Sequence, residues 1–155
     1  RVLFRSGTVA FERSHDIFID APPEAVLDYV SNPQSWPQWM PATHHIDSPD
    51  RPMRAGEAFY EKWHTRQGEV ALDWSVADRV DGRRWEARTT TPFTGPIVAV
   101  YECVPEGTGC RYTRRIVNPE RPKAPTDEML ARMDDEAAIC LANIKRNVEA
   151  QAGRS

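Results

Sequence analysis

Two charged residues stand in strand-like sequence with apolar neighbours two places away on either side. Glu61 alternates with Phe59 and Trp63, and Arg114 alternates with Tyr112 and Ile116. Side chains two apart on a strand share a face. If the apolar members of each set face a core, the carboxylate and the guanidinium face it too. The position of the Phe59 set just after Gly56 favours the inward register, though a slip of one residue would reverse it. An inward charge is costly unless it is paired or hydrogen-bonded, and so marks a ligand anchor or an acid/base group. The competing reading places both charges at the open end of the sheet, in reach of water. Arg114 suits a carboxylate, phosphate or phenolate, because its planar fork gives two parallel bonds. Tyr101 and Tyr112 could orient a carbonyl, or be core tyrosines with satisfied hydroxyls.

Other chemistries find little support. His44 and His45 are adjacent on a strand and point to opposite faces, while His15 and His64 lie on other strands. The chain has no His-x-His, HExxH or CxxC spacing, so neither a metal site nor a cofactor is expected. A catalytic triad lacks its Gly-x-Ser-x-Gly elbow. The eight glycines form no phosphate-cradling cluster. A net charge of -3, with only Arg111, Arg114 and Arg115 clustered, argues against nucleic-acid binding.

The elements that must position these residues follow from the pattern. A chain of 155 residues, 40% hydrophobic and 28% charged, suits a single domain spanning 1–155 with one core. No run reaches the length of a signal-peptide core or a membrane span. Three cysteines fit reduced thiols and a cytoplasmic setting better than a disulfide framework. Cys103 and Cys110 flank the turn "VPEGTG" and could pair across a hairpin, or be two half-buried small residues.

"TVAFERSHDIFI" predicts a first strand, and "DAPPEAVLDYVS" a short helix entered through Pro22 and Pro23 and ended at Asn32-Pro33. Six strand-like segments follow from "THHIDS" to "GCRYTRRIV", joined by turns that include "QG", "VDGR" and "PEGTG". Hairpin-length links make an antiparallel meander. From Thr126 to about Gln151, Met129, Met133, Ala137, Cys140, Ile144 and Val148 recur at spacings of three and four, a long amphipathic helix. The whole is an α+β chain, with seven strands and two short helices between strands 1 and 2.

"NPQSWPQWMP" holds two of the five tryptophans in a stretch that its prolines bar from regular structure beyond a turn or two. Asn32 caps a second short helix, and Trp36 and Trp39, three apart, share a face.

"DIFIDAPPEAVLDYVSNPQSWPQWMP", followed by "RVDGRRWEAR" and "VPEGTGCRYTRR", resembles the START-like (SRPBCC) helix-grip superfamily, in particular its polyketide cyclase/dehydrase and lipid-transport branch. The resemblance covers nearly the whole chain. It implies a curved antiparallel sheet gripping the long helix, with an internal cavity for an apolar or aromatic ligand. The superfamily's N-terminal pattern points Ile17 and Ile19 inward, and with them Arg13 and His15. Expected ligand-binding residues are Trp39, Met40, Phe59, Glu61, Trp63, Trp74, Tyr101, Tyr112, Arg114, Met129 and Met133, the two methionines being equally readable as core packing. Two function classes remain open. One is a carrier or binder of a small hydrophobic or aromatic molecule, as monomer or homodimer. The other is a polyketide cyclase or dehydratase with Arg114 polarising a carbonyl and Glu61, Tyr101 or His15 carrying protons. An interaction module for a larger partner is a third possibility, which would require an exposed apolar patch.

Overall fold

A computed structural model describes residues 7–65 and 68–153, without the side chains of Thr43, His44 and Thr65. The expected turn at Gln67 and the facing of His44 lie outside the described residues. Strand β1 (Val9–Ile19) leads to helix α1 (Pro23–Val30), a 3-10 turn (Pro33–Ser35) and the one-turn helix α2 (Trp36–Trp39). Strands β2 (Thr43–Asp47), β3 (Ala58–Thr65), β4 (Gly68–Val80), β5 (Arg84–Thr91), β6 (Gly95–Glu106) and β7 (Gly109–Arg121) follow, and helix α3 (Asp127–Ala152) ends the described chain. The seven strands form one antiparallel sheet in the order β1-β7-β6-β5-β4-β3-β2. The meander thus closes with β1 beside β7, and α3 lies across the concave face.

Local chemistry fixes the ends of the elements. Pro23 occupies the first turn of α1, where its missing N–H costs nothing. The Asn32 side chain accepts from the Gln34 amide at 3.0 Å. Thr126 caps α3 by accepting from the Met129 amide at 3.2 Å, with Asp127 and Glu128 complementing the helix dipole in the first turn. β7 runs past Pro119 to Arg121, beyond the Val117 at which its apolar pattern fades. The ladder to β1 shifts register between Val9 and Phe11, opposite this stretch, and at such an irregularity a proline needs no ladder hydrogen bond. Gly109 is forced by packing, since a Cβ there would lie 2.0 Å from the Ile19 carbonyl oxygen.

The two faces of the sheet differ in kind. On β4, Val70, Leu72, Trp74 and Val76 are buried while Glu69, Ala71, Asp73, Ser75 and Ala77 are exposed. On the convex side Glu86, only 8% exposed, is clamped by Arg84 and Arg88, the latter donating from Nε at 2.9 Å. The concave side carries the core, into which α3 sends Ala137, Cys140, Leu141, Ile144 and Val148. All three cysteines are buried free thiols. Cys103 stands opposite Tyr112 and Cys110 opposite Pro105, so the hairpin does not set the two directly across from each other. Burial pushes both of these thiols up.

Candidate functional site

The core does not fill the whole concave face. A cavity of about 220 Å³ remains between the sheet and the N-terminal half of α3. Its apolar wall comes from Trp63 on β3, Leu72 and Trp74 on β4, Ile97 and Ala99 on β6, and Ile116 on β7. Trp36 and Met40 close it from the proline-rich segment, and Met133, Ala137 and Cys140 cover it from α3. Strand periodicity explains why so few elements suffice, because each strand contributes every second residue to one face.

Polar groups sit at defined points of this wall. A row across three strands sets His15, Arg114 and Tyr101 side by side, since His15 pairs with Arg114 and Arg114 with Tyr101. The Tyr101 hydroxyl and the Arg114 guanidinium act on each other across this row. Burial pushes the Tyr101 hydroxyl up to about 12, against the pull of Arg114; at neutral pH it is a protonated donor and no general base. Arg114 is half-buried, its Nε fully covered and without a hydrogen-bond partner. A guanidinium keeps its proton under such conditions. Tyr112, below Tyr101 with ring centroids 6.1 Å apart, has a buried hydroxyl that also lacks a partner. On the opposite wall Glu61, 3% exposed, accepts from Trp74 Nε1 at 2.9 Å.

At the mouth, Asp134 of α3 grips two residues of β1. Arg13 donates to it from Nε at 3.0 Å and NH2 at 2.7 Å, and His15 Nε2 lies 2.7 Å from Oδ1. These bonds hold the Asp134 carboxyl well below the usual range, Arg13 contributing most. Arg13 and His15 also line the cavity, as do Phe11, Asn118 and Glu136. The cluster therefore ties the covering helix to the edge of the sheet at the entrance.

Of the residues expected at a ligand, Met40, Glu61, Trp63, Trp74, Tyr101, Arg114 and Met133 stand on the cavity wall, together with His15. Four stand elsewhere. Trp39 is fully buried behind the cavity, its Nε1 donating to Ser35 Oγ at 3.0 Å and its carbonyl accepting from Asn143 of α3 at 3.3 Å. Its neighbour Trp36 lines the cavity instead. The two rings do adjoin, at 6.2 Å, but a three-residue step on a helix leaves them about 60° apart in direction. That offset turns Trp39 toward α3 and Trp36 over the sheet. Phe59 is stacked on Trp74 at 5.9 Å and lies outside the lining. Tyr112 is one strand step deeper than Arg114, under α3. Met129 precedes Met133 by one turn, about 5–6 Å along the axis, and falls beyond the cavity's end.

Sequence reasoning passed over Trp36, Asn118, Glu136 and Cys140 as site residues. Cys140 and Trp36 carried a signal, since each lies on the apolar stripe of its element; Glu136 and Asn118 carried none.

A family model described as polyketide cyclase / dehydrase and lipid transport matches residues 9–149. Solved structures share the fold at low identity. A protein from Chromobacterium violaceum, CV1439, superposes with a TM-score of 0.71 at 17% identity, over 89% of this chain and 97% of that one. The Zhui aromatase/cyclase from Streptomyces sp. R1128 gives 0.70 at 13%, over 91% and 94%. Ara h 8.0201 gives 0.69 at 9%, over 92% and 99%. No curated protein matches the chain in sequence.

Proposed function

Because this chain belongs to the polyketide cyclase/dehydrase and lipid transport family of the START-like superfamily, we propose that it binds and carries a small apolar or aromatic molecule in the cavity between the sheet and α3. The observation that carries this reading is the lining, in which three indole rings and aliphatic side chains from three strands surround a hollow that core packing leaves unfilled. Close-packed interiors rarely keep such a space, and an apolar hollow binds apolar rings readily. Native mass spectrometry of the purified protein, followed by extraction of bound molecules, tests it. A bound organic molecule, or uptake of a hydrophobic dye by emptied protein, is expected. A cavity that releases nothing and takes up no dye would overturn the proposal.

One observation favours a second reading, that of a cyclase or dehydratase acting by proton transfer. Arg114, Tyr101, Glu61 and His15 all reach the same cavity, and a structural neighbour is an aromatase/cyclase. In that reading Arg114 and the Tyr101 hydroxyl polarise a carbonyl, while Glu61 or His15 moves the proton. Turnover of a poly-β-carbonyl substrate that survives Arg114→Ala unchanged would remove it.

A further inference from the structure

On the convex face the chain encloses a charge in the ordinary way, with Glu86 held between Arg84 and Arg88. Arg114 is treated differently. The register of the sheet identifies its neighbours on the concave face. His15 and Tyr101 lie directly across on β1 and β6, Tyr112 and Ile116 are two residues away on β7, and Ala99 and Cys103 lie diagonally on β6. None is a carboxylate. From above, α3 brings Met133, Glu136, Ala137 and Cys140; Glu136, the one carboxylate among them, is an exposed residue and does not act on Arg114. The groups that act on Arg114 are Tyr101, Cys140 and Tyr112, and among the described residues no acid forms an ion pair with it. Glu61 stands on the far wall, engaged by Trp74. Arg13, the other arginine of the lining, is already taken by Asp134.

A half-buried cation without a counter-ion is a costly feature for a fold to keep. A lysine could escape by losing its proton; arginine cannot. From this we infer that the molecule bound in the cavity is an organic anion, an aromatic or unsaturated carboxylate or phenolate, whose oxygen meets Arg114 and the Tyr101 hydroxyl. The inference rests on the ligand-binding reading above and adds the charge and class of the ligand. The Arg114 guanidinium, which lines the cavity, is one donor for the oxygen. Tyr101, kept protonated by its burial, is a second. The guanidinium's planar edge gives a carboxylate two parallel bonds. The apolar part lies against Trp36, Trp63, Leu72, Trp74 and Ile97. Size narrows the class further, because a hollow of about 150 Å³ accommodates benzene and this one measures about 220 Å³. One ring with its acid group, or a compact pair of rings, fits; an extended multi-ring chain does not.

Two probes of nearly equal shape separate charge from apolarity. The purified, emptied protein is titrated with 2-naphthoate and with the neutral 2-acetylnaphthalene at pH 7.5 and constant ionic strength, by calorimetry and by quenching of tryptophan fluorescence. Benzoate and acetophenone serve as the smaller pair. The acid is expected to bind at least tenfold more tightly than its neutral counterpart. Arg114→Met should abolish that preference while retaining the neutral ligand, and Arg114→Lys should keep a reduced preference. The comparison within the native protein needs no variant, so a misfolded substitution leaves the test intact. Equal or tighter binding of the neutral members overturns the anion assignment and leaves the cavity reading standing. The same holds if the preference survives Arg114→Met, which would place its origin at another cation. Binding of neither pair overturns the assignment; if hydrophobic dye is also refused, the cavity reading falls with it.

Discussion

The concave face of the sheet is solid at one end and hollow at the other, and a single helix covers both. At the solid end Trp36 meets Phe59, Trp74, Trp85 and Tyr101 edge to face, with ring centroids 5.3–6.4 Å apart. Trp39 packs behind it, and the C-terminal half of α3 seals the layer with Ile144 and Val148. Each indole there has found a partner: Trp36 Nε1 donates to the Val30 carbonyl at 3.0 Å and Trp85 Nε1 to the Met53 carbonyl at 3.1 Å. At the hollow end β7 carries Arg114, Ile116 and Asn118, and α3 offers the half-buried Met133 and the small Ala137. There Arg114 Nε has no partner. The difference lies in where packing is completed, since a buried hydroxyl outside the lining, that of Tyr112, is left without a partner as well. The solid end supplies stability, and the hollow end gives some of it up for a site.

Mutation should separate the two ends by size and by sign. The largest effect is expected at Trp85, which is 0% exposed, outside the cavity lining and hydrogen-bonded to Met53. Trp85→Ala leaves a large void and an unmet carbonyl, and should cost about 3–5 kcal/mol by urea denaturation, a substantial part of the about 5–15 kcal/mol typical of a domain. A cost below about 1 kcal/mol would show that the solid end is not where stability resides. Arg114→Met should act in the opposite direction. Replacing a half-buried, uncompensated charge by an apolar side chain of similar length should raise the stability of ligand-free protein by on the order of 1 kcal/mol, a rise of about 2–4 °C in Tm for a chain of this size. If Arg114→Met destabilises the empty protein instead, the guanidinium is satisfied there and the contrast between the ends fails. At Met133, over the mouth, truncation to alanine removes a half-buried side chain with room to relax. Stability should change by less than about 1 kcal/mol, while affinity for a ring-bearing ligand should fall by about fivefold, close to 1 kcal/mol.

The same contrast explains what the sequence revealed. Strict alternation on β4, the prolines around α1 and α2, and the three-and-four spacing on α3 are local signals, and each yielded its element and its inward face. Pairing order followed from short turns, and Arg114, Tyr101 and Glu61 could be set on the concave side before any contact was known. Which inward residues border the hollow depends on how far α3 is displaced along the sheet and how α2 rotates. Neither is local. Met129 and Met133 are equivalent in sequence, and only the placement of the helix end separates them. Trp36 and Trp39 share an apolar face, and the rotation between them decides that the first touches the cavity. Asp134 was invisible for the same reason: its partners Arg13 and His15 are more than a hundred positions away.

That distant cluster gives the smallest and most conditional effect. Asp134 is half-buried, and its two bonds to Arg13 hold α3 against β1 at the entrance rather than in the core. Asp134→Asn keeps the size of the side chain and removes the charge. It should therefore speed both uptake and release of ligand several-fold, with little change in affinity, in stopped-flow fluorescence. The pH dependence has a definite sign. The folded carboxyl is held below its ordinary value, so its stabilising contribution is complete above the unfolded value near about 3.9 and is lost as pH falls from there toward the depressed folded value. The stability gap between the native protein and Asp134→Asn, measured by denaturation at pH 7 and again near pH 3, should thus narrow on acidification. A gap that stays constant down to pH 3 would mean that the three residues adjoin without coupling, and that the hollow end is held closed by Met133 and its apolar neighbours alone.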